Sequence, residues 1–207
     1  MRATKISLSP EEIRFISDAS VILTKNAIIE KTKTLLNELQ DRQEQYVIAQ
    51  PEYEFPAIAN SSPKISRGEN YMGLPYLVLD YPRIFEKDNT VAIRTMFWWG
   101  NFFSITLHLS GKYKTGYEND ILHAYAALKE AGFYCCINES EWEHHFQPGN
   151  YRPMKKMSYN DFEKLIQERS FVKLAYKLPL DKWNEAVEIL YDQFTVLIAL
   201  MDQAPRR

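Results

Sequence analysis

From position 91 to 111 the chain reads VAIRTMFWWGNFFSITLHLSG. Two runs rich in β-branched and aromatic residues, 91–99 and 102–109, flank Gly100-Asn101, which is the signature of a β-hairpin. Gly followed by Asn suits a two-residue type II′ loop, because glycine takes the positive φ at the first central position. That loop pairs Trp99 with Phe102, Trp98 with Phe103, and so on outward to Ile93 with His108. Paired residues share a face, and successive pairs alternate faces. One face then carries Ala92, Arg94, Met96 and Trp98 with Phe103, Ile105, Leu107 and Leu109. It is apolar apart from Arg94 and is assigned to the core. The other carries Ile93, Thr95, Phe97 and Trp99 with Phe102, Ser104, Thr106 and His108. Rings, hydroxyls and an imidazole on one surface suit a covered face or the wall of a pocket.

Helical periodicity dominates the two ends. Ser9-Pro10-Glu11-Glu12 is a capping-box start with proline at the first helical position. Apolar residues follow at 13, 16, 19 and 23, then at 28, 35 and 39. A single helix over 10–45 would be about 54 Å long at ~1.5 Å per residue. The radius of gyration expected for the domain is only about 17 Å. A break near Thr24–Asn26, giving two helices, is therefore expected. Residues 50–73 contain Pro51, Pro56, Pro63, Gly68 and Gly73 and lack periodicity. They read as a long loop of lid or binding type, its Tyr53, Phe55 and Tyr71 packing on the mixed face.

Residues 74–81 read as a strand stopped by Pro82, completing a three-stranded antiparallel meander over 74–110. A lysine-bearing loop at 111–116 leads to a helix over 117–131, closed by Gly132. A strand at 133–137 follows, then an irregular stretch at 139–157 with a short extended piece at 141–146. Ser158 caps the next helix, 171–178 is a strand, and Asp181 caps the last helix. That helix has the clearest apolar stripe: Trp183, Val187, Leu190, Tyr191, Phe194, Leu197, Ile198 and Met201. The sum is an α+β fold with a largely antiparallel sheet of about five strands. Helices pack mainly on one face, beside an N-terminal helical pair. Residues 1–207 form a single domain: helices over 1–48, the loop at 49–73, and the sheet with its packing helices over 74–207.

Composition narrows the partners. At 207 residues, 45% hydrophobic and 14% aromatic, the chain can bury a sizeable core, and a net charge of −2 gives no global attraction to nucleic acid or anionic membrane. Trp98, Trp99, Phe102 and Phe103 are able to stack on bases, but no basic residue stands beside them, and single-strand binding needs a positive groove. No run approaches the ~18 apolar residues of a membrane span, and the N-terminus has no signal-type apolar run. Cys135 and Cys136 are neighbours and point to opposite faces of a strand, so no loop-closing disulfide is expected. A cytoplasmic location follows.

The candidate chemistry is sparse. Gly111 and Gly116 have Walker spacing, but Tyr117-Glu118 stands where Lys-Ser/Thr is required, so a nucleotide loop is rejected. An anion held by Lys112, Lys114 and a helix N-terminus is the weaker version. Glu141-Trp142-Glu143-His144-His145 is the densest group of ligand types, and His108 joins it if this stretch folds over the mixed face. There is no HExxH and no paired CxxC, so no bound metal and no cofactor are expected. Ser104 and His108 share a face of one strand but stand ~13 Å apart, too far for a dyad. Arg94 on an apolar face needs a partner, and Asp80 on the neighbouring strand is the candidate for a structural ion pair.

With no catalytic signature, the expected function is non-catalytic binding of a small molecule or a protein. Tyr71, Thr95, Phe97, Trp99, Thr106 and His108 form the expected site. Two alternatives stand beside it. One is an enzyme, a hydrolase or a metal-assisted catalyst, using His108 and the 141–145 cluster. The other is a structural or interaction protein that dimerises through its N-terminal helices.

Overall fold

The computed structural model describes residues 6–49 and 61–201. The expected contacts of Tyr53 and Phe55 lie outside them. Helix α1 (Pro10–Ser17) begins with the capping box: Ser9 Oγ accepts the Glu12 N–H at 3.2 Å, and the Glu12 carboxylate accepts the Ser9 N–H at 2.7 Å. The break comes at Asp18, earlier than the expected 24–26. Asp18 leaves the helical region and caps α2 (Ala19–Ile48) by accepting the Ser20 N–H at 2.9 Å. A residue able to cap, rather than length alone, fixes the position of the bend.

Among the described residues, seven strands form one antiparallel sheet: β1 (Lys64–Tyr71), β2 (Leu74–Phe85), β3 (Thr90–Trp98), β4 (Phe102–Ser110), β5 (Tyr134–Cys136), β6 (Tyr151–Pro153) and β7 (Phe171–Pro179). Their order is β1-β2-β3-β4-β7-β5-β6. The meander is present and is extended by β1, in the stretch expected to be loop. Met72 and Gly73 both take positive φ, and Asn70 Oδ1 accepts the Gly73 N–H, so a tight turn pairs Tyr71 with Leu74. Strand β2 continues past the cis Tyr81–Pro82 bond, with its ladder interrupted between Asp80 and Arg83. The stretch 141–146 contains no strand.

The hairpin register differs by one residue from the expected one. Gly100 (φ +69) sits third, not second, in a turn closed by the Asn101 N–H on the Trp98 carbonyl at 3.0 Å. Residues 99–101 therefore form the loop, and Trp98 pairs with Phe102, Phe97 with Phe103 and Ile93 with Leu107. The Trp99 N–H also bonds the Pro75 carbonyl, so the turn is held by the neighbouring strand. The faces of β4 stand as expected, and those of β3 are exchanged.

Helices cover one face. Val91, Ile93 and Phe97 of β3, with Phe103, Ile105, Leu107 and Leu109 of β4, pack there in the main core. Helix α2 buries Ile29, Leu35, Leu36, Leu39 and Val47 in that core. Helix α6 (Ala186–Ala199) adds Leu190, Phe194, Leu197 and Ile198, each worth roughly 1.5–3 kcal/mol of burial. It follows a 3-10 helix, Leu180–Glu185, which contains Asp181 and Trp183, so Asp181 does not cap it.

Helix α3 (Gly111–His123) starts directly off β4, so the expected loop at 111–116 is absent. The Lys112 N–H is taken by Asn89 Oδ1 at 2.8 Å, and Gly111 takes φ +56 at the junction. Helices α4 (Tyr125–Glu130) and α5 (Tyr159–Glu168, capped by Ser158) complete the layer. The thiols of Cys135 and Cys136 are free and buried in separate clusters. Among the described residues no helix is long and apolar enough to cross a membrane.

Candidate functional site

Among the described residues, no helix packs on the other face of the sheet. It is covered by the strap 137–150, an Ω-like loop whose ends meet where the Ile137 N–H bonds the Asn150 carbonyl at 2.8 Å. Phe146 anchors the strap by stacking on Tyr151, with centroids 4.6 Å apart, and meets Phe102 and Tyr134 edge-on. Tyr71 holds it from β1: its hydroxyl accepts the N–H groups of His144 (2.8 Å) and His145 (3.1 Å) and donates to Glu143 Oε2 (3.0 Å).

From below, Lys173, His108 and Arg94 of the sheet reach the strap. Lys173, only 1% exposed, donates to the carbonyls of Glu141 (2.9 Å) and Glu143 (2.6 Å). Burial lowers its pKa to about 8, with Arg94 nearby acting in the same sense. His108 lies 2.8 Å from Glu141 Oε2 and edge-on to Trp142. Burial first, and then the charges of Lys173 and Arg94, hold His108 down to about 3. The contact is thus a neutral imidazole N–H donating to a carboxylate, not a salt bridge. Burial raises the pKa of Glu141 from its ordinary value, the charge of Lys173 opposing it.

Arg94 forms a two-pronged pair with Asp80, at 2.7 and 2.9 Å. Its Nη1 also meets His144 Nε2 at 3.1 Å. A guanidinium has no acceptor, so Nε2 accepts and His144 carries its proton on Nδ1. Burial, helped by the charges of Lys173 and Arg94, keeps His144 well below 6.5 and neutral.

Between strap and sheet lies a cavity of about 220 Å³, walled by Tyr71, Tyr76, Val78, Met96 and Trp142, with Arg94 and His144 as its polar groups. A second of about 370 Å³ shares Trp142 with the first and is lined by Phe85, Thr90, Ser110 and Glu141 among others. Trp142, half-exposed, forms part of both walls. The first cavity combines flat apolar walls with a charge-balanced Arg–Asp pair and a neutral imidazole. That chemistry suits an uncharged or weakly polar planar molecule with an acceptor for the guanidinium.

Of the expected ligand residues, Tyr71, Thr106 and His108 lie on the strap side. Thr95, Phe97 and Trp99 do not. Thr95 and Phe97 are buried under the helices, and Trp99 packs beside Phe97 and the main core. The one-residue shift of the hairpin accounts for Thr95 and Phe97. Each lysine of the expected anion site is paired with an acid: Lys112 bonds Glu86 at 3.0 Å, and Lys114 bonds Glu118. The Asp80–Arg94 ion pair is present, on the strap side rather than in the main core.

The expected meeting of His108 with the 141–145 stretch is present too. Glu143 lies 3.7 Å from His145, but among the described residues no three His, Cys, Asp or Glu side chains are grouped to hold a metal. Sequence reasoning did not single out Lys173, Tyr76, Val78 and Met96. A lysine inside the apolar run FVKLAYKL, paired directly with His108, was the available signal. No protein-family model matches this chain, and no curated protein matches it.

Proposed function

We propose that the protein is a non-catalytic binding domain for a small, largely uncharged planar molecule, held between the strap and the sheet. The observation that carries this is the preformed cavity walled by Tyr71, Tyr76, Met96 and Trp142, whose polar groups are already oriented by Asp80 and the strap. Preorganised groups need no reordering on binding, which favours affinity. The enzyme reading is the weaker one. His108 is neutral and enclosed, and Lys173 is engaged with two carbonyls, so both act as supports of the strap. The free thiols of Cys135 and Cys136 favour a reducing, cytoplasmic setting.

A thermal-shift screen of aromatic and heterocyclic metabolites tests this reading. Binding compounds should raise the melting temperature of the wild type and fail to do so in Trp142→Ala, whose side chain is half-exposed and dispensable for the core. A shift of equal size in Trp142→Ala would place the ligand elsewhere.

A protein partner is the second reading. It is favoured by α1, a capped helix that buries none of its residues.

A further inference from the structure

The N-terminal arm, α1 with the first two turns of α2, presents Ile13, Phe15, Ile16, Val21, Ile22 and Leu23, each 41–71% exposed. The first side chain of α2 to be fully buried is Ile29. An isolated helix of eight residues is marginal in water, and a helix with apolar side chains on several sides is built to be covered. These six side chains expose on the order of 600 Å² of apolar surface. That is the upper end of patches on ordinary monomers, and near the ~800 Å² per partner of a standard interface.

We infer that a second copy of this chain covers the arm, the two arms lying antiparallel about a two-fold axis near the bend at Asp18. This rests on the protein-partner reading above and names the partner. Two observations favour a second copy. The exposed apolar area approaches the ~800 Å² that one side of a standard interface buries. The arm's charges nearly cancel, with Glu11, Glu12 and Asp18 against Arg14 and Lys25, so it has neither the basic face that anionic lipid requires nor a field suited to a highly charged partner. Antiparallel pairing about Asp18 would set Ile13 of one copy against Leu23 of the other, while Lys25 keeps its ion pair with Glu69 at 2.7 Å. An isologous contact of this kind closes on itself, as most homo-oligomers do.

Sedimentation velocity over a concentration series tests the inference on the full chain. The wild type should sediment at twice the chain mass and dissociate on dilution. The variant Ile16→Glu/Ile22→Glu should sediment at the single-chain mass throughout, with its tryptophan emission retained. Should that variant fail to fold, Phe15→Ser should shift dissociation to higher concentration. A wild type of single-chain mass at every concentration overturns the inference, whether or not it cosediments with phosphatidylserine vesicles. So does a dimer that both variants leave unchanged. Neither result touches ligand binding at Trp142, which the thermal-shift comparison reads separately.

Discussion

Acid should weaken this protein through its strap. His108 is 6% exposed and held down to about 3 by burial and by the charges of Lys173 and Arg94, and His144 is lowered for the same first reason. Both stay neutral in the folded chain while the unfolded chain protonates them below about 6.5. In that window the unfolded chain binds more protons, so stability falls as the pH drops from 6.5 toward 3. For His108 alone, acidification from pH 6.5 to 4.5 costs about 2 kcal/mol, because the unfolded imidazole is already half-protonated at 6.5 and the slope reaches ~1.4 kcal/mol per unit only below it. Glu141 offsets part of this, because its raised pKa lets the folded chain take up a proton at higher pH than the unfolded chain does.

The loss is also capped by the cost of releasing the strap alone, since the contacts of both imidazoles named above join strap to sheet. Urea unfolding at stepped pH, with imidazole proton NMR, measures the effect in the wild type and in His108→Gln. The wild type should lose about 2–3 kcal/mol between pH 6.5 and 4.5, and His108→Gln distinctly less. A His108 resonance titrating near 6.5 with the strap closed, or equal slopes in both proteins, would refute the reasoning.

Further outcomes follow from single contacts. Arg94→Met strands the Asp80 carboxylate, which is 5% exposed, and should cost about 3–5 kcal/mol in urea unfolding; Asp80→Leu/Arg94→Met should recover most of it. A single-variant cost below about 1 kcal/mol would mean that water reaches the pair freely. Gly111→Ala places a Cβ against the Asp88 carbonyl oxygen, well inside van der Waals contact, at φ +56, and should lose more than about 2 kcal/mol by the same measurement. Gly100→Ala meets nothing within 4 Å and should lose only about 1 kcal/mol. The Thr95 hydroxyl, buried in the core, finds no hydrogen-bond partner among the described residues, so Thr95→Val should raise stability by about 1 kcal/mol. A loss of that size would show the hydroxyl to be bonded.

The α+β class and the helix-covered sheet were legible because they follow from periodicity. The stripe of α6 and the alternation of β4 allow one arrangement each. The capping box at Ser9 was legible because its geometry is local. The faces of β3 were not, because Gly-Asn admits more than one loop length. The deciding contact, Trp99 to Pro75, comes from another strand. Strand β1 was hidden by its polarity: KISRGENY has no alternation to read, and pairs because a tight turn at Met72-Gly73 brings it to β2. Of the site, the meeting of His108 with the 141–145 stretch was visible as a condition on how that stretch folds. The role of Lys173 was not, since nothing in a strand's own sequence says which loop carbonyls it will hold.

Open sheets tend to recruit further chains along their outermost strands. Here one flank is β1, a ribbon studded with Lys64, Arg67 and Glu69 and largely wetted by solvent. The opposite flank, β6, offers only three residues before the backbone turns away. Neither margin makes a good template for fibril growth. The protein should therefore tolerate crowding without adding strand to strand, and whatever self-recognition it has is left to its helices.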